Sequence, residues 1–202
     1  MQNSFYYLYG KRIFDILATI SGGLILLPII IIIVIWIKLS SKGPIFYVQK
    51  RVGKDFQEFD LYKFRSMIID ADKVGPSVTS GDDPRITKVG KIIRRTKIDE
   101  LPQLINVIKG DMSLVGPRPE VIKFVKEKKE EYTKILSVRP GITDNAAIAY
   151  RDEETIMNQY ENKEKAYIEI VLPEKIKLYD EYLQNISLIN DIKLILKTLK
   201  VI

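Results

Sequence analysis

The sequence predicts an α+β fold, mostly α, in which a proline-containing membrane helix precedes a small globular domain with amphipathic surface helices. Three observations predict it. The twenty residues from Ala18 to Ile37 carry no charge. Two aromatic and β-branched stretches follow, separated by Gly53-Lys54-Asp55, and read as a short β-hairpin. Much of the chain after residue 85 spaces its apolar residues as helices do, between turns marked by Pro and Gly.

Composition sets the limits. The chain has 202 residues, 46% hydrophobic and 29% charged, which excludes intrinsic disorder and fits one domain with an appendage. It has no cysteine and no histidine. Disulfides, thiolate nucleophiles, His–Cys metal cages and Ser–His–Asp triads are therefore excluded. Catalysis falls to carboxylates, lysines, arginines, hydroxyls and a hard metal ion. A formal charge of +6 favours a partner bearing phosphates: nucleic acid, nucleotide or lipid headgroup.

The apolar segment comes first. Thirteen of its twenty positions are Ile, Leu or Val. At about −0.3 to −0.6 kcal/mol per large aliphatic residue, insertion is favoured by roughly 4 to 8 kcal/mol. The run has no polar face and ends at Trp36-Ile37-Lys38 without the small-residue cleavage site of a signal peptide. Pro28 removes a backbone hydrogen bond near its centre and kinks the helix. Lys11 and Arg12 precede the segment, and Lys38, Lys42, Lys50 and Arg51 follow it. Basic residues on both flanks suit a helix that enters, breaks at Pro28 and returns; a spanning helix with a proline is equally compatible with the residues alone. Asp15 is spaced to pair with Lys11 or Arg12.

The remaining elements follow in order. Ser40 to Pro44 is a turn. Ile45–Val48 and Phe56–Phe64 form the hairpin. Gly75 to Pro84 is a polar loop. Ile86 to Lys97 is a helix with Ile86, Val89 and Ile93 on its inner face. Asp99 caps a second helix through about Ile108, with Leu101, Leu104, Ile105 and Ile108 at core spacing, and Lys109-Gly110-Asp111 ends it. In VGPRPE, Pro117 and Pro119 flank Arg118 and fix the backbone that aims its guanidinium. Glu120 to Ile135 reads as one charged amphipathic helix, and Arg139 to Thr143 as a rigid turn. Tyr150 to Ile170 is acidic and partly helical, and Pro173 breaks it. In the last helical region, from Glu174, Leu188, Ile192, Ile195 and Leu199 share one face, with Lys193, Lys197 and Lys200 on the other. Such a helix lies on an anionic membrane or packs on the core. Residues 1–42 thus form the membrane region and 43–202 the catalytic domain.

The polar residues from Arg94 to Arg118 are the densest candidate site. At the start of a helix, the adjacent carboxylates Asp99 and Glu100 reach a common volume, where they can hold a divalent cation and a phosphate together, or act only as a helix cap. Arg94, Arg118, Lys63 and Arg65 (in YKFRSM) and Arg139 (in RPG) are candidate partners for a phosphodiester or pyrophosphate. Aspartate can then serve as nucleophile through an acyl phosphate. The aromatics are not interleaved with the basic residues, and no nucleic-acid motif is present, so no nucleic-acid partner is expected. A hydrolase using water, or a non-catalytic protein binding anionic lipids, stays open on the residues alone.

These segments resemble the bacterial small monotopic phosphoglycosyl transferases, the undecaprenyl-phosphate sugar-phosphate transferases. The resemblance rests on KRIFD (Lys11–Asp15), the proline-bearing apolar segment, GPIFYVQKRVG (Gly43–Gly53) and YKFRSM (Tyr62–Met67). It continues through GKIIRRTKIDELPQLINVIKGDMSLVGPRPE (Gly90–Glu120), RPGIT (Arg139–Thr143) and the closing NISLINDIKLILKTL. It implies a re-entrant membrane helix kinked at Pro28, with the globular part on the cytoplasmic face of the bacterial inner membrane. It also implies a UDP-sugar donor, a polyprenyl (undecaprenyl) phosphate acceptor and Mg²⁺. By the same resemblance Asp99 is the nucleophile of a ping-pong reaction that releases UMP, and Glu100 its catalytic partner. Asp99 and Glu100 would hold the metal, and Arg94 and Arg118 the phosphates. With Met1 close to KRIFD, the chain is expected to lack the extra membrane helices and fused domains of the long members. Two departures stand out. Asp144-Asn145-Ala146-Ala147-Ile148 replaces the glycine and aromatic that follow RPGIT in many relatives, and an acidic stretch runs from Arg151 to Leu172.

Overall fold

The structure, a computed structural model, describes residues 5–71, 74 and 83–201. The polar stretch Gly75–Pro84 lies, up to residue 82, outside the described residues. A π-helical turn, Tyr6–Gly10, leads into α1, Lys11–Ser40, which runs unbroken through Pro28. Among the described residues this is the one helix long and apolar enough to cross a membrane. Its buried residues are Lys11, Asp15 and Thr19 at one end and Ile33 and Ile37 at the other. From residue 20 to residue 32 none is buried.

Both ends of α1 are fastened to the globular part. Lys11 Nζ donates to Asp191 Oδ2 at 2.6 Å. Arg12 donates to the carbonyls of Val107 (2.5 Å) and Ile108 (2.9 Å). Asp15 Oδ1 accepts from the Leu114 amide at 3.1 Å. The expected Asp15 pairing within the helix is therefore replaced by a tie to a distant strand. At the other end, Ile33 and Ile37 pack with Phe64, Val89 and Ile93. Arg65 closes the helix, donating to Lys42 O (2.5 Å) and Ser41 O (2.9 Å).

The hairpin forms from β1, Phe46–Val52, and β2, Glu58–Phe64, antiparallel with Phe46 opposite Phe64 and Val52 opposite Glu58. β1 runs four residues past the predicted Val48. Helix α2, Lys88–Arg95, is capped by Thr87 Oγ1, which accepts from the Gly90 amide at 2.9 Å. Ile86, Val89 and Ile93 are buried as predicted. A Cβ at Gly90 would lie 1.8 Å from Ser66 O, so only glycine lets α2 seat there.

Helix α3, Gln103–Lys109, corrects the predicted core face. Gln103, Asn106 and Val107 are buried, while Ile105 and Ile108 are exposed. Asn106 sets this rotation. Its amide donates to Asp60 O at 2.7 Å and its Oδ1 accepts from Tyr62 N at 3.1 Å. These bonds satisfy backbone groups of β2, and leaving them unpaired would cost more than exposing two isoleucines. Gly110 ends α3 at φ +94°.

Strands β3, Ser113–Val115, and β4, Gly141–Thr143, pair in parallel, an element the sequence reading lacked. Gly116 and Gly141 meet at their backbones: a Cβ on Gly141 would lie 2.1 Å from Gly116 N. The predicted single helix from Glu120 divides at Lys128 into α4, Ile122–Glu127, and α5, Lys129–Ile135. Short helices α6, Asn145–Ala149, α7, Glu153–Met157, and α8, Lys163–Ala166, follow. Pro173 does not break the chain. A π-helical turn, Tyr167–Val171, joins α8 to α9, Leu172–Gln184, and Pro173 sits in the first turn of α9, where its missing N–H costs little.

Helix α10, Leu188–Val201, buries Asp191 and Leu194 and leaves Leu188, Ile192 and Leu199 exposed. The core side is thus not the predicted apolar face, which is left open apart from the half-buried Ile195. The main core gathers Val115, Phe124, Tyr132, Met157, Tyr167, Leu172, Tyr179, Tyr182 and Leu194. Asp191 sits at its edge, with the Lys11 ammonium and the hydroxyls of Tyr6 (2.7 Å) and Tyr182 (2.9 Å) around it.

Removing one partner of a buried ion pair typically costs about 3–5 kcal/mol. Asp191→Ala is expected to destabilise the protein on that scale and Lys193→Ala, on a neighbouring position of α10, to leave stability within about 0.5 kcal/mol. Thermal unfolding in detergent compares the two.

Candidate active site

Four elements converge on Glu100. A 3₁₀ turn, Ile98–Glu100, carries Asp99 and Glu100, and is entered through Lys97 in the left-handed conformation (φ +54°). Asp99 is therefore not the N-cap of α3; it lies inside a tight turn one step earlier. β2 supplies Lys63, the end of α2 supplies Arg94, and the segment after β3 supplies Arg118.

Both oxygens of Glu100 are occupied. Lys63 Nζ donates to Oε1 at 3.0 Å. Arg118 Nη1 donates to Oε2 at 3.1 Å and its Nη2 to Oε1, a two-pronged contact. Burial opposes ionisation of Glu100, but Arg118 and Lys63 outweigh it and hold the carboxyl well below the usual range. Burial lowers the Lys63 ammonium, with Glu100 opposing the change.

Asp99 is in the opposite condition. It is 6% exposed, and its Oδ1 is buried without a hydrogen-bond partner. Burial pushes its carboxyl up to about 6; the Glu100 charge adds to the rise, while Lys63 and Arg94 oppose it. Two adjacent carboxylates thus differ sharply: one clamped and ionised, one unclamped and reluctant to ionise.

The structure brings together Lys63, Arg94, Asp99, Glu100 and Arg118. Arg65 and Arg139 lie at helix ends. Arg65 closes α1, as above, and Arg139 Nε donates to Gly110 O at 2.8 Å beyond α3. That use of Arg65, which binds backbone carbonyls through both terminal nitrogens, replaces its predicted contact with a phosphate. Gly141 N donates to Pro117 O at 2.9 Å, and Gly116 N to Thr143 O at 3.0 Å, which clasps the Arg118 turn to RPGIT.

The fold also gathers a polar layer, mostly buried, that is not legible in the sequence. Arg51 is 3.8 Å from Glu120, and the Tyr167 hydroxyl donates to Glu120. Lys175 is bound to Glu153 and stands 4.9 Å from the Tyr167 ring centroid. Asp144 is fully buried. Arg51 reads as a membrane flank in the sequence, and Glu153, Tyr167 and Lys175 lie in or beside the acidic stretch. Only the fold places them together.

A divalent cation fits this donor set through Asp99, whose Oδ1 is buried without a hydrogen-bond partner. Both oxygens of Glu100 already accept from cationic side chains, so Asp99 is the less engaged carboxylate. Among the described residues no cluster of three metal-binding side chains occurs. A Mg²⁺ ion would thus rely on one carboxylate and on the oxygens of a bound diphosphate.

A family model described as bacterial sugar transferase matches residues 6–202. The chain belongs to this family. It is 51% identical, over 62% of its length and 70% of the relative's, to a Bacillus subtilis (strain 168) protein with the provisional name undecaprenyl-phosphate N-acetylgalactosaminyl 1-phosphate transferase. It is 37% identical to the Aeromonas hydrophila UDP-N-acetylgalactosamine-undecaprenyl-phosphate N-acetylgalactosaminephosphotransferase, over 97% of this chain and 44% of that one. To the Komagataeibacter xylinus undecaprenyl-phosphate glucose phosphotransferase it is 39% identical, over 94% of this chain and 35% of that one. The chain therefore spans less than half the length of the last two.

Because the folded Asp99 has a raised pKa, its ionisation costs stability as pH rises through about 6. Asp99→Asn removes that cost. Its melting temperature at pH 8 is expected to exceed the wild type's by roughly 2–4 °C per kcal/mol relieved, and the difference is expected to shrink below about pH 6 and to vanish only below the ordinary carboxyl value of 3.8. Differential scanning fluorimetry at the two pH values checks it.

Proposed function

We propose that this chain transfers a sugar phosphate from a UDP-sugar to undecaprenyl phosphate through a covalent intermediate on Asp99. The observation that carries the reading is the buried, unpartnered Asp99 oxygen beside a Glu100 already neutralised by Lys63 and Arg118. Membership of the family and the names of the relatives support the reaction class.

In the first half-reaction an Asp99 carboxylate oxygen attacks the sugar-bearing phosphorus of the diphosphate. An O–P bond forms, the bridging P–O bond breaks, and UMP leaves with the electron pair. In the second, a phosphate oxygen of the polyprenyl phosphate attacks the same phosphorus and the Asp99 carboxylate departs, giving a polyprenyl diphosphate sugar. Bound Mg²⁺ would neutralise phosphate charge. Arg94 and the open end of Arg118 supply donors for the phosphate oxygens, and Lys63 balances the buried charge as it develops. Splitting the displacement lets a soluble donor react before a lipid acceptor arrives.

The reading places the site at the inner-membrane surface, with the globular part cytoplasmic and α1 re-entrant through a bend at Pro28 in place of the expected break, because the helix is continuous there. The burial pattern of α1 supports this. Residues at both of its ends pack on one globular body, while 20–32, around Pro28, are not buried. A helix crossing a bilayer core of about 30 Å would carry one end away from that body. The exposed Leu188, Ile192 and Leu199 of α10, with Ile105 and Ile108 of α3, supply apolar contacts for the lipid interface.

Two measurements test the reading. In nanodiscs with Mg²⁺, UMP release from a panel including UDP-N-acetylgalactosamine and UDP-glucose is expected to require undecaprenyl phosphate for sustained turnover, to fall as pH drops through about 6, and to vanish in Asp99→Asn. Release that ignores the lipid would instead favour a hydrolase. For topology, the chain has no cysteine, so single-cysteine labelling has no background. Tyr9→Cys and Ser40→Cys are expected to react from the same membrane face and Leu24→Cys to be shielded; labelling from opposite faces would overturn the re-entrant arrangement.

A further inference from the structure

The acidic stretch 151–172 has no part in the chemistry proposed above, yet one of its hydroxyls is bonded into the segment that carries Arg118. Tyr167 is 3% exposed and opens the π-helical turn that joins α8 to α9. Its ring packs on Phe124, with centroids 4.7 Å apart. Its hydroxyl donates to Glu120 Oε1. Lys175 Nζ donates to the same hydroxyl at 3.4 Å and is itself bound to Glu153. The Tyr167 oxygen thus accepts from an ammonium and donates to a carboxylate, so both of its bonds are charge-assisted.

Glu120 is buried and stands two residues beyond Arg118, with Pro119 between them. The backbone around Arg118 is pinned on both sides. Before it are the bonds of Gly116 N to Thr143 O and of Gly141 N to Pro117 O. After it, Pro119 has no N–H to offer, and Glu120 is the next residue able to hold the segment. Val52 N donates to Glu120 O at 3.0 Å. The Glu120 side chain needs its own hold. Its Oε2 accepts from the adjacent Val121 amide at 3.2 Å, and Arg51 Nη1, at 3.8 Å, is beyond hydrogen-bond reach. Among the described residues, the Tyr167 hydroxyl therefore makes the one hydrogen bond that ties this carboxylate to another element. Pro119 fixes its own φ and holds Arg118 extended, so a shift of Glu120 passes to Arg118 with little slack.

We infer that Tyr167 is a positioning residue: its hydrogen bond to Glu120 fixes the far end of segment 117–120, and with it the place of the Arg118 guanidinium against Glu100. The inference rests on the assignment of Arg118 to phosphate binding. It gives the acidic stretch a function, the outer support of the arginine clamp.

The test removes one hydroxyl. Tyr167→Phe keeps the ring on Phe124 and loses the bond to Glu120. Tyr132→Phe is the control, because the Tyr132 hydroxyl is buried in the same core without a partner. The full chain in nanodiscs, labelled with ¹⁵N-arginine, reports the Arg118 side-chain N–H signals, identified by their loss in Arg118→Lys. In Tyr167→Phe those signals are expected to shift and to exchange faster with water; in Tyr132→Phe they are expected to stay. Glu120→Gln offers Tyr167 a weaker acceptor and is expected to shift the same signals less, which keeps the test decisive should Tyr167→Phe not fold. UMP release in Tyr167→Phe is expected to fall roughly 10- to 100-fold in kcat/KM, as when a supporting outer partner is lost. In an Arg118→Lys background the same substitution is expected to cost less than about 2-fold, because the guanidinium it places is gone, whereas a merely structural effect would add in full. Arg118 signals identical to wild type in both Tyr167→Phe and Glu120→Gln, or equal losses of activity in the two backgrounds, would overturn the inference. A wild type that releases no UMP with any donor would count against the proposed function, and the arginine signals, which do not depend on turnover, would still decide the role of Tyr167.

Discussion

A long apolar helix offers a small domain nothing polar to grip except its ends, and the fold is arranged around gripping both. At the first turn of α1, Lys11 reaches Asp191 of α10, Arg12 reaches the last carbonyls of α3, and Asp15 reaches the amide of Leu114. Three elements far apart in sequence are thereby set against one helical turn. The Leu114 tie matters most for the site, because the chain runs from there through Val115 and Gly116 to Arg118. At the other end, Arg65 closes α1 from a position two residues beyond Lys63. The anchoring of the long apolar helix and the placing of Lys63 and Arg118 are therefore one piece of architecture.

Within the site, adjacent carboxylates are given different work by different neighbours. Glu100 has a lysine and an arginine; Asp99 has burial and an empty oxygen. The 3₁₀ turn makes this possible. In an α-helix both side chains would sit in the same turn of the same cap, whereas the left-handed Lys97 and the tight turn present Glu100 to Lys63 and Arg118 and turn Asp99 inward. The arginine clamp on Glu100 needs its own support, and the Gly116–Gly141 contact provides a rigid backbone for it.

The parts of the fold that follow from local chemistry were legible. The apolar segment, the hairpin, the inner face of α2 and the glycine end of α3 are fixed by residues within a few positions of each other. So was the central cluster, because Asp99, Glu100, Arg94 and Arg118 stand close in sequence or in constrained turns. What was not legible depended on long-range pairing. Asn106 rotates α3 by bonding to β2, which apolar spacing cannot reveal. β3 and β4 are three residues each and are held by a glycine contact across the fold. Pro173 is absorbed by a π-helical turn that no propensity announces. Arg65 looked like a phosphate ligand because its motif sits beside Lys63, yet the next residue but one on a strand end meets a different neighbour. The layer of Arg51, Glu120, Asp144, Glu153, Tyr167 and Lys175 draws on segments more than a hundred residues apart.

The double fastening of α1 also bears on what counts as a unit of this protein. The boundary near residue 42 separates an apolar stretch from a mixed one, but it does not separate two bodies that fold independently. Cutting the chain there would leave Asp191 facing the Tyr182 hydroxyl with neither Tyr6 nor a cation. It would also bare Phe64, Val89 and Ile93 where Ile33 and Ile37 had covered them. A water-soluble catalytic half is therefore not obtained by deletion. The apolar helix thus lends both of its ends to the interior of the globular body while its middle stays outside it.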